Sequence, residues 1–318
     1  MSPRRILITG GSGFVGQWMC RHYLEQGDVV FAGTVDQATG PRVLPDEQRR
    51  AVTWLALDST SDEQVARAID QSTPDLVVHL AAMAFAPDAN QSPARAFEVN
   101  ALGAMRLLSR LGRAGGKAVR VLVVGSAEQY GANSAAITPV PETVALAPLT
   151  VYAASKATQE LIALQTARST GLHVVCTRSF NHSGFGHGPQ YLFPALVERA
   201  RALPPQGGVM RMGNGTPVRD YLHVRDVVAA YAALLEKGKA AEVYNVSSGV
   251  GVTVDEIAAR VLKRLGRTAS ISTDPALTRP VDVPILVGDS GKLRTTTGWS
   301  PRNTVDDIID DLIHAATR

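Results

Sequence analysis

The chain has little of what marks a secreted, membrane-bound or nucleic-acid-binding protein. Only Cys20 and Cys176 occur in 318 residues. Each lies in an apolar stretch, so buried free thiols in a reducing cytoplasm are expected rather than a disulfide framework. An excess of one charge is also missing. Lys and Arg number 32 against 29 Asp and Glu, a net charge of +3. That is too small for nucleic-acid binding, though it helps attract an anionic substrate. Aromatic residues make up only 5%. Long hydrophobic runs are absent as well. Arg4 and Arg5 precede Ile-Leu-Ile, but Thr9-Gly10-Gly11-Ser12-Gly13 interrupts at once, so no signal peptide or membrane span is expected.

What is present suits a soluble enzyme. Apolar residues make up 45%, charged residues 19%, and glycine occurs 28 times. The length accommodates one large α/β domain or two unequal ones. Strand patterns at Arg5–Thr9, Val29–Val35, Val52–Leu57, Leu76–Leu80, Val119–Val124 and His173–Ser179 alternate with helical stretches. The helices are read at Phe14–Gln26, from about Ser61, from Ser92-Pro93 to about Ala114, and around Tyr152. Alternation of this kind predicts parallel βαβ units and a doubly wound, Rossmann-type α/β sheet. After about Asn181 the rhythm breaks, with Gly and Pro clustered at Gly184–Pro189 and Pro204–Pro217. Residues 1–180 are therefore expected to form the dinucleotide-binding domain, joined by a later return over about 222–247. Residues 181–318 are expected to form mainly a smaller, discontinuous α/β lobe. Thr253 with Glu256 resembles a capping box opening a helix in that lobe.

Thr9-Gly10-Gly11-Ser12-Gly13-Phe14-Val15-Gly16 lies between the first strand and the first helix. Glycines there let backbone turn tightly and approach a pyrophosphate, while the helix N-terminus supplies amide donors. Gly10, Gly13, Phe14, Val15 and Gly16 are thus candidate cofactor contacts. The second strand ends in Asp36, which favours ribose hydroxyls and NAD over NADP, with Arg42 as a distant basic alternative. Asp58, after the third strand, is a candidate partner for the adenine amino group. Leu80-Ala81-Ala82 are small enough to let backbone pass near the cofactor, and His79 before them reads more readily as a core histidine.

The chemistry concentrates in Val-Tyr152-Ala-Ala-Ser-Lys156. Four residues apart on a helix, a phenol and an ammonium share one face. A neighbouring cation favours the phenolate, and a tyrosine so tuned can exchange a proton near neutral pH. Ser126 follows the fifth strand, where active sites of open α/β sheets lie. Its hydroxyl is placed to hold a substrate oxygen that Tyr152 protonates. Asn100 is a candidate to lock local backbone or a water relay.

Together these segments resemble the extended short-chain dehydrogenase/reductase family, over nearly the whole chain. The resemblance implies NAD or NADP in the first domain, a nucleotide-diphosphate sugar as substrate, and a homodimer built on the helices from about Ser92 and Thr150. A narrower likeness lies in Arg178-Ser179-Phe180-Asn181-His182, Pro217-Val218-Arg219-Asp220-Tyr221 and Arg279-Pro280-Val281-Asp282. These are similar to GDP-6-deoxy-D-mannose reductases and to GDP-mannose 4,6-dehydratases. The likeness implies that Asn181, Arg219 and Arg279 hold the substrate, the arginines as forks for its diphosphate. Phe185 and His187 depart from the reductase pattern. Glu128 matches the base that dehydratases use at sugar C5, which keeps dehydration open. The dehydratase glycine turn carries Gln-Asp, however, and none occurs within Ser12–Val15. A C4 keto reductase is therefore the leading expectation. A 4,6-dehydratase, a 4-epimerase and a cofactor-binding regulatory protein are the alternatives.

Overall fold

The protein is described from a computed structural model, covering residues 2–35, 43–113, 119–135, 137–277 and 283–315. Strands β1 (Arg5–Thr9), β2 (Val29–Thr34), β3 (Thr53–Ala56), β4 (Leu76–His79), β5 (Arg120–Ser126) and β6 (His173–Ser179) form a parallel sheet. A later strand, β10 (Glu242–Val246), extends the sheet beside β6, giving the order β10-β6-β5-β4-β1-β2-β3. The order reverses at the β4–β1 boundary. This is a doubly wound sheet with its crevice at that switch point.

Alternating apolar residues bury both faces, as parallel strands require. Ile6 and Ile8 pack on one side and Leu7 on the other; Leu122 opposes Val121 and Val123. The first face is covered by α1 (Phe14–Glu25), which contributes Trp18, Met19 and Tyr23, and by a later helix, Val224–Lys237. On that side also lies the short helix α2 (Asp46–Ala51). The second face is covered by α3 (Asp62–Ser72) and by further helices in the next segment.

That segment opens with the short α4 (Ala86–Gln91). The helix expected from Ser92 to about Ala114 follows as α5 (Pro93–Phe97), a π-helical turn (Glu98–Leu102) and α6 (Gly103–Arg113), contiguous and helical at each junction. The π-turn, which the sequence does not announce, carries Asn100, whose side chain bonds the Met83 backbone and the Ser155 hydroxyl. Local periodicity does not report such a tertiary tether. Helix α7 (Val151–Thr170) starts at the Thr150 cap and packs beside α6.

From β7 (Asn181–Ser183) the chain builds the second lobe with α8 (Leu192–Arg201), β8 (Gly208–Met212) and β9 (Val218–His223). It returns to the main sheet through α9, the helix Val224–Lys237 already met, and β10. The lobe is completed by β11 (Gly251–Thr253), α10 (Val254–Arg264), β12 (Ala269–Thr273), β13 (Ile285–Leu286), α11 (Gly291–Thr297) and α12 (Val305–Ala315). Thr253 and Glu256 do form a capping box at the start of α10. Helices α8, α10 and α12 enclose a separate apolar core around Phe193, Leu196, Ile257 and Ile308. Among the described residues no helix is long and apolar enough to cross a membrane. Both cysteines are free and buried.

Leu122 is fully buried in the middle of β5. Leu122→Ala should cost about 2–5 kcal/mol through lost transfer energy and a cavity. A urea titration should show a lower midpoint with an unchanged slope; an unshifted midpoint would contradict this packing.

Candidate active site

A cavity of about 810 Å³ runs along the C-terminal ends of β1, β2, β4, β5 and β6 and opens toward the second lobe. Its floor is the turn between β1 and α1. Gly10 has a φ of +69°, and a Cβ there would lie 2.9 Å from the Ala81 amide nitrogen. A Cβ at Gly16 would lie 2.3 Å from the Gly10 carbonyl oxygen. The turn therefore closes only because side chains are missing. Gly13 caps α1 without a side-chain bond, and no acidic residue lies in the first helical turn. The leading amides of α1 thus meet the cavity uncapped, at the positive end of a helix dipole. A pyrophosphate fits this cradle.

Gly10, Gly13, Phe14, Val15, Gly16, Asp58, Leu80, Ala81 and Ala82 all line the cavity. Thr9, which the sequence reading missed, shapes the wall at Ala81. Its hydroxyl oxygen accepts the Ala81 amide at 3.1 Å and stands 2.8 Å from His79 Nδ1. His79 is buried and pushed down to about 3 by desolvation and by Lys156. It braces the core and does not reach the cavity wall. Asp58 Oδ1 accepts from the Thr60 amide and hydroxyl. Burial opposes ionisation of this carboxyl, but those bonds and Arg95 hold it below its ordinary value. Asn100 lies behind the cavity wall, bracing Met83 and Ser155. Asp36, Arg42 and Arg279 lie outside the described residues.

Ser126, Glu128, Tyr152, Lys156 and Asn181 share the cavity's other end. Ser126 closes β5, and its hydroxyl stands near the Tyr152 phenol on the same cavity wall. Thr150 anchors the helix that presents Tyr152 and Lys156, its side chain accepting the Ala153 amide at 3.1 Å. The electrostatics differ from the expected cation–phenol tuning. Burial pushes Tyr152 upward, and the Glu128 carboxylate adds to this, while the Ser126 hydroxyl opposes it. Lys156 is 3% exposed and is itself pushed down to about 7 by desolvation. Desolvation thus disfavours the very ammonium on which that tuning depends.

The second lobe contributes aromatic rings. His187 stacks between Phe14 at 4.5 Å and Tyr191 at 4.1 Å, and Phe85 meets Tyr191 edge-on at 5.7 Å. Burial depresses His187 to about 3, keeping the stack neutral. Phe185 turns away from the cavity. Its carbonyl accepts Trp18 Nε1 at 3.0 Å, and its amide donates to Asp311 at 2.9 Å. Arg219 sits opposite Leu286 in the β9–β13 pair. Its guanidinium donates to the Val218 and Val283 carbonyls at 2.8 and 2.7 Å, so the structure does not bring it onto the cavity wall. Among the described residues no group of His, Cys, Asp or Glu is placed to hold a metal ion.

A glycine cradle at a sheet switch point, opening onto a serine–tyrosine–lysine set, defines a nicotinamide-dependent oxidoreductase of the short-chain dehydrogenase/reductase class. The chain belongs to the GDP-mannose 4,6 dehydratase family, whose model matches residues 7–312. It is 31% identical to GDP-6-deoxy-D-mannose reductase of Pseudomonas aeruginosa, over 95% of this chain and 93% of that protein. The solved structure of RMD from Pseudomonas aeruginosa, complexed with NADPH, superposes with a TM-score of 0.81 at 27% identity, covering 98% of each chain. A UDP-glucose 4-epimerase from Thermotoga maritima, solved with UDP-glucose, gives 0.87 at 26% identity, again over 98% of each chain.

Lys156 yields a pH prediction. In the unfolded chain it returns to its ordinary value of 10.5. Between about pH 7 and 10.5 the unfolded state binds the extra proton, so the folded state gains stability as pH rises. Below about pH 7 both states are protonated and the full penalty of burying the ammonium remains. Lys156→Met should therefore raise the melting temperature of the ligand-free protein near pH 7, and that advantage should shrink toward pH 10. Thermal scans of both proteins across this range test it; an advantage that grows with pH would contradict the assigned burial.

Proposed function

We propose that the protein reduces the C4 ketone of a nucleotide-diphosphate 4-keto-6-deoxyhexose, with a GDP-linked sugar as substrate. One observation carries this reading. The Ser126–Tyr152 hydroxyl pair stands in the same cavity as the glycine cradle, on the wall where a nicotinamide ring and a sugar ketone would meet. The likeness to GDP-6-deoxy-D-mannose reductase supports the substrate class. A bound reduced nicotinamide cofactor supplies hydride to the ketone carbon. Tyr152 donates its phenolic proton to the ketone oxygen as charge builds there. Ser126 holds that oxygen in line with the phenol. Lys156, at the base of the same wall, stabilises the phenolate left behind. Asn181 faces the sugar end of the cavity. Arg219, paired across β9 and β13 with the cavity-lining Leu286, and Arg279 are proposed to meet the diphosphate.

The cofactor is NADH or NADPH. Asp36, two residues beyond β2 in the sequence, favours the unphosphorylated ribose, whereas the Pseudomonas aeruginosa RMD was solved with NADPH. We further propose a homodimer through α6 and α7, whose outer faces expose Met105 and Leu161. Dehydration is the second reading, favoured by one observation: the Glu128 carboxylate lines the cavity close enough to raise Tyr152.

Incubation with GDP-4-keto-6-deoxymannose and either reduced cofactor tests the assignment. Stoichiometric loss of reduced-nicotinamide absorbance is expected. Turnover of a nucleotide sugar without added cofactor would replace reduction by dehydration or epimerisation.

Tyr152→Phe should lower turnover by on the order of a hundredfold or more while cofactor affinity is kept, because only the proton donor is lost. Near-normal turnover would remove Tyr152 from the chemistry. Glu128→Gln should cost a reductase little, since no C5 proton is abstracted. A collapse of activity in that variant would favour the dehydratase reading.

A further inference from the structure

Ser126 must be held against Tyr152 to within a fraction of an ångström if both hydroxyls are to meet one substrate oxygen. A buried polar chain behind the cavity wall does this holding. The Ser126 amide donates to Gln129 Oε1 at 2.8 Å, and the Glu128 amide donates to the Ser126 hydroxyl oxygen at 3.2 Å. The other end of the Gln129 amide, Nε2, donates to Glu160 Oε2 at 2.9 Å. An amide used once as acceptor and once as donor has only one working orientation. Glu160 is in turn gripped by Arg178, whose Nε and Nη2 donate to Oε2 and Oε1 at 3.0 and 2.7 Å. The remaining arm of Arg178 donates to the Glu142 carbonyl at 2.9 Å, and its guanidinium lies 4.8 Å from the Tyr130 ring centroid.

Three further facts tie the chain to the chemistry. First, Tyr152, Lys156 and Glu160 recur at four-residue spacing on one face of α7, so one rigid helix carries both the proton donor and the anchor of Ser126. Second, Gly125 makes room for the link. A Cβ there would lie 2.7 Å from Gln129 Oε1 and 2.2 Å from the Thr177 carbonyl oxygen. Third, Gln129, Glu160 and Arg178 are 0%, 3% and 6% exposed, and none of them lines the cavity. None of the three therefore meets a ligand in the cavity directly. Net stability is a weak explanation for the charged pair, because desolvation offsets much of the attraction between buried charges.

We propose that Glu160, held by Arg178 and acting through Gln129, is a positioning residue that sets the Ser126 hydroxyl against Tyr152. The proposal rests on Ser126 acting at the ketone oxygen, as read above.

The test is a double-mutant cycle in the reductase assay. Gln129→Met removes both hydrogen bonds at nearly constant volume and leaves the ion pair intact. It should lower kcat by about tenfold or more, with KM and reduced-cofactor affinity changed less than about twofold. In a Ser126→Ala background the same change should cost less than about twofold, because the group it positions is gone. Gln129→Asn keeps an amide too short to span both partners. It carries the same expectation should the methionine variant fail to fold. Unchanged kcat in the single variant overturns the proposal. So does an equal fold-loss in both backgrounds, which would assign the network to the fold alone. A fully active Ser126→Ala would instead overturn the role of Ser126 itself, a result the cycle reads separately.

Discussion

The buried Arg178–Glu160 ion pair joins β6 to α7 behind the cavity wall, and it is the junction on which the proposed positioning of Ser126 rests. Both partners are buried, and the bond is bidentate. Such a pair contributes geometry more dependably than net stability. Here β6 neighbours β5, which ends in Ser126, while α7 carries Tyr152 and Lys156. A strand end and a helix face, separate in sequence, thereby share one polar frame.

The cofactor end follows the opposite logic. Its shape comes from what is missing at Gly10 and Gly16, where a Cβ would run into the Ala81 backbone and the Gly10 carbonyl as β1 turns into α1. Thr9 then ties that turn to β4 through Ala81 and His79. Rigid polar bracing at one end and bare backbone at the other suit the two tasks. In the proposed reaction the two hydroxyls at one end need fixed angles, and a pyrophosphate at the other needs close backbone approach. Between the two ends, Phe14, His187 and Tyr191 form a neutral aromatic column joining the cofactor turn to the second lobe. Burial keeps the histidine uncharged, so this contact adds no cation to the cavity.

Much of this was legible in the sequence because it is local. The glycine turn, the strand–helix alternation and the Tyr152–Lys156 spacing depend on near neighbours and helix geometry. The return of α9 and β10 to the sheet was also readable, since each carries a strong apolar pattern of its own. Less legible was the pull of Lys156 on Tyr152. The spacing puts them on one face, but burial decides the protonation of each, and burial is a property of the packed site. Arg219 is a similar case. Its motif marks it for the substrate, yet its guanidinium bonds the carbonyls of Val218 and Val283.

By itself the sequence determined the class of fold, the glycine turn between β1 and α1, and the Tyr152–Lys156 spacing on one helix face. Each of these is encoded in residue types at fixed short spacings. Only the tertiary structure decided the π-turn at Asn100, the Thr9–His79 brace and the Ser126–Gln129–Glu160–Arg178 chain. Apart from the local Ser126–Gln129 capping box, their partners lie 17 to 70 residues apart along the chain. Hydrogen bonds at such separations leave no periodic signal. They exist because folding buries polar groups that must then find partners wherever the sheet and helices bring them.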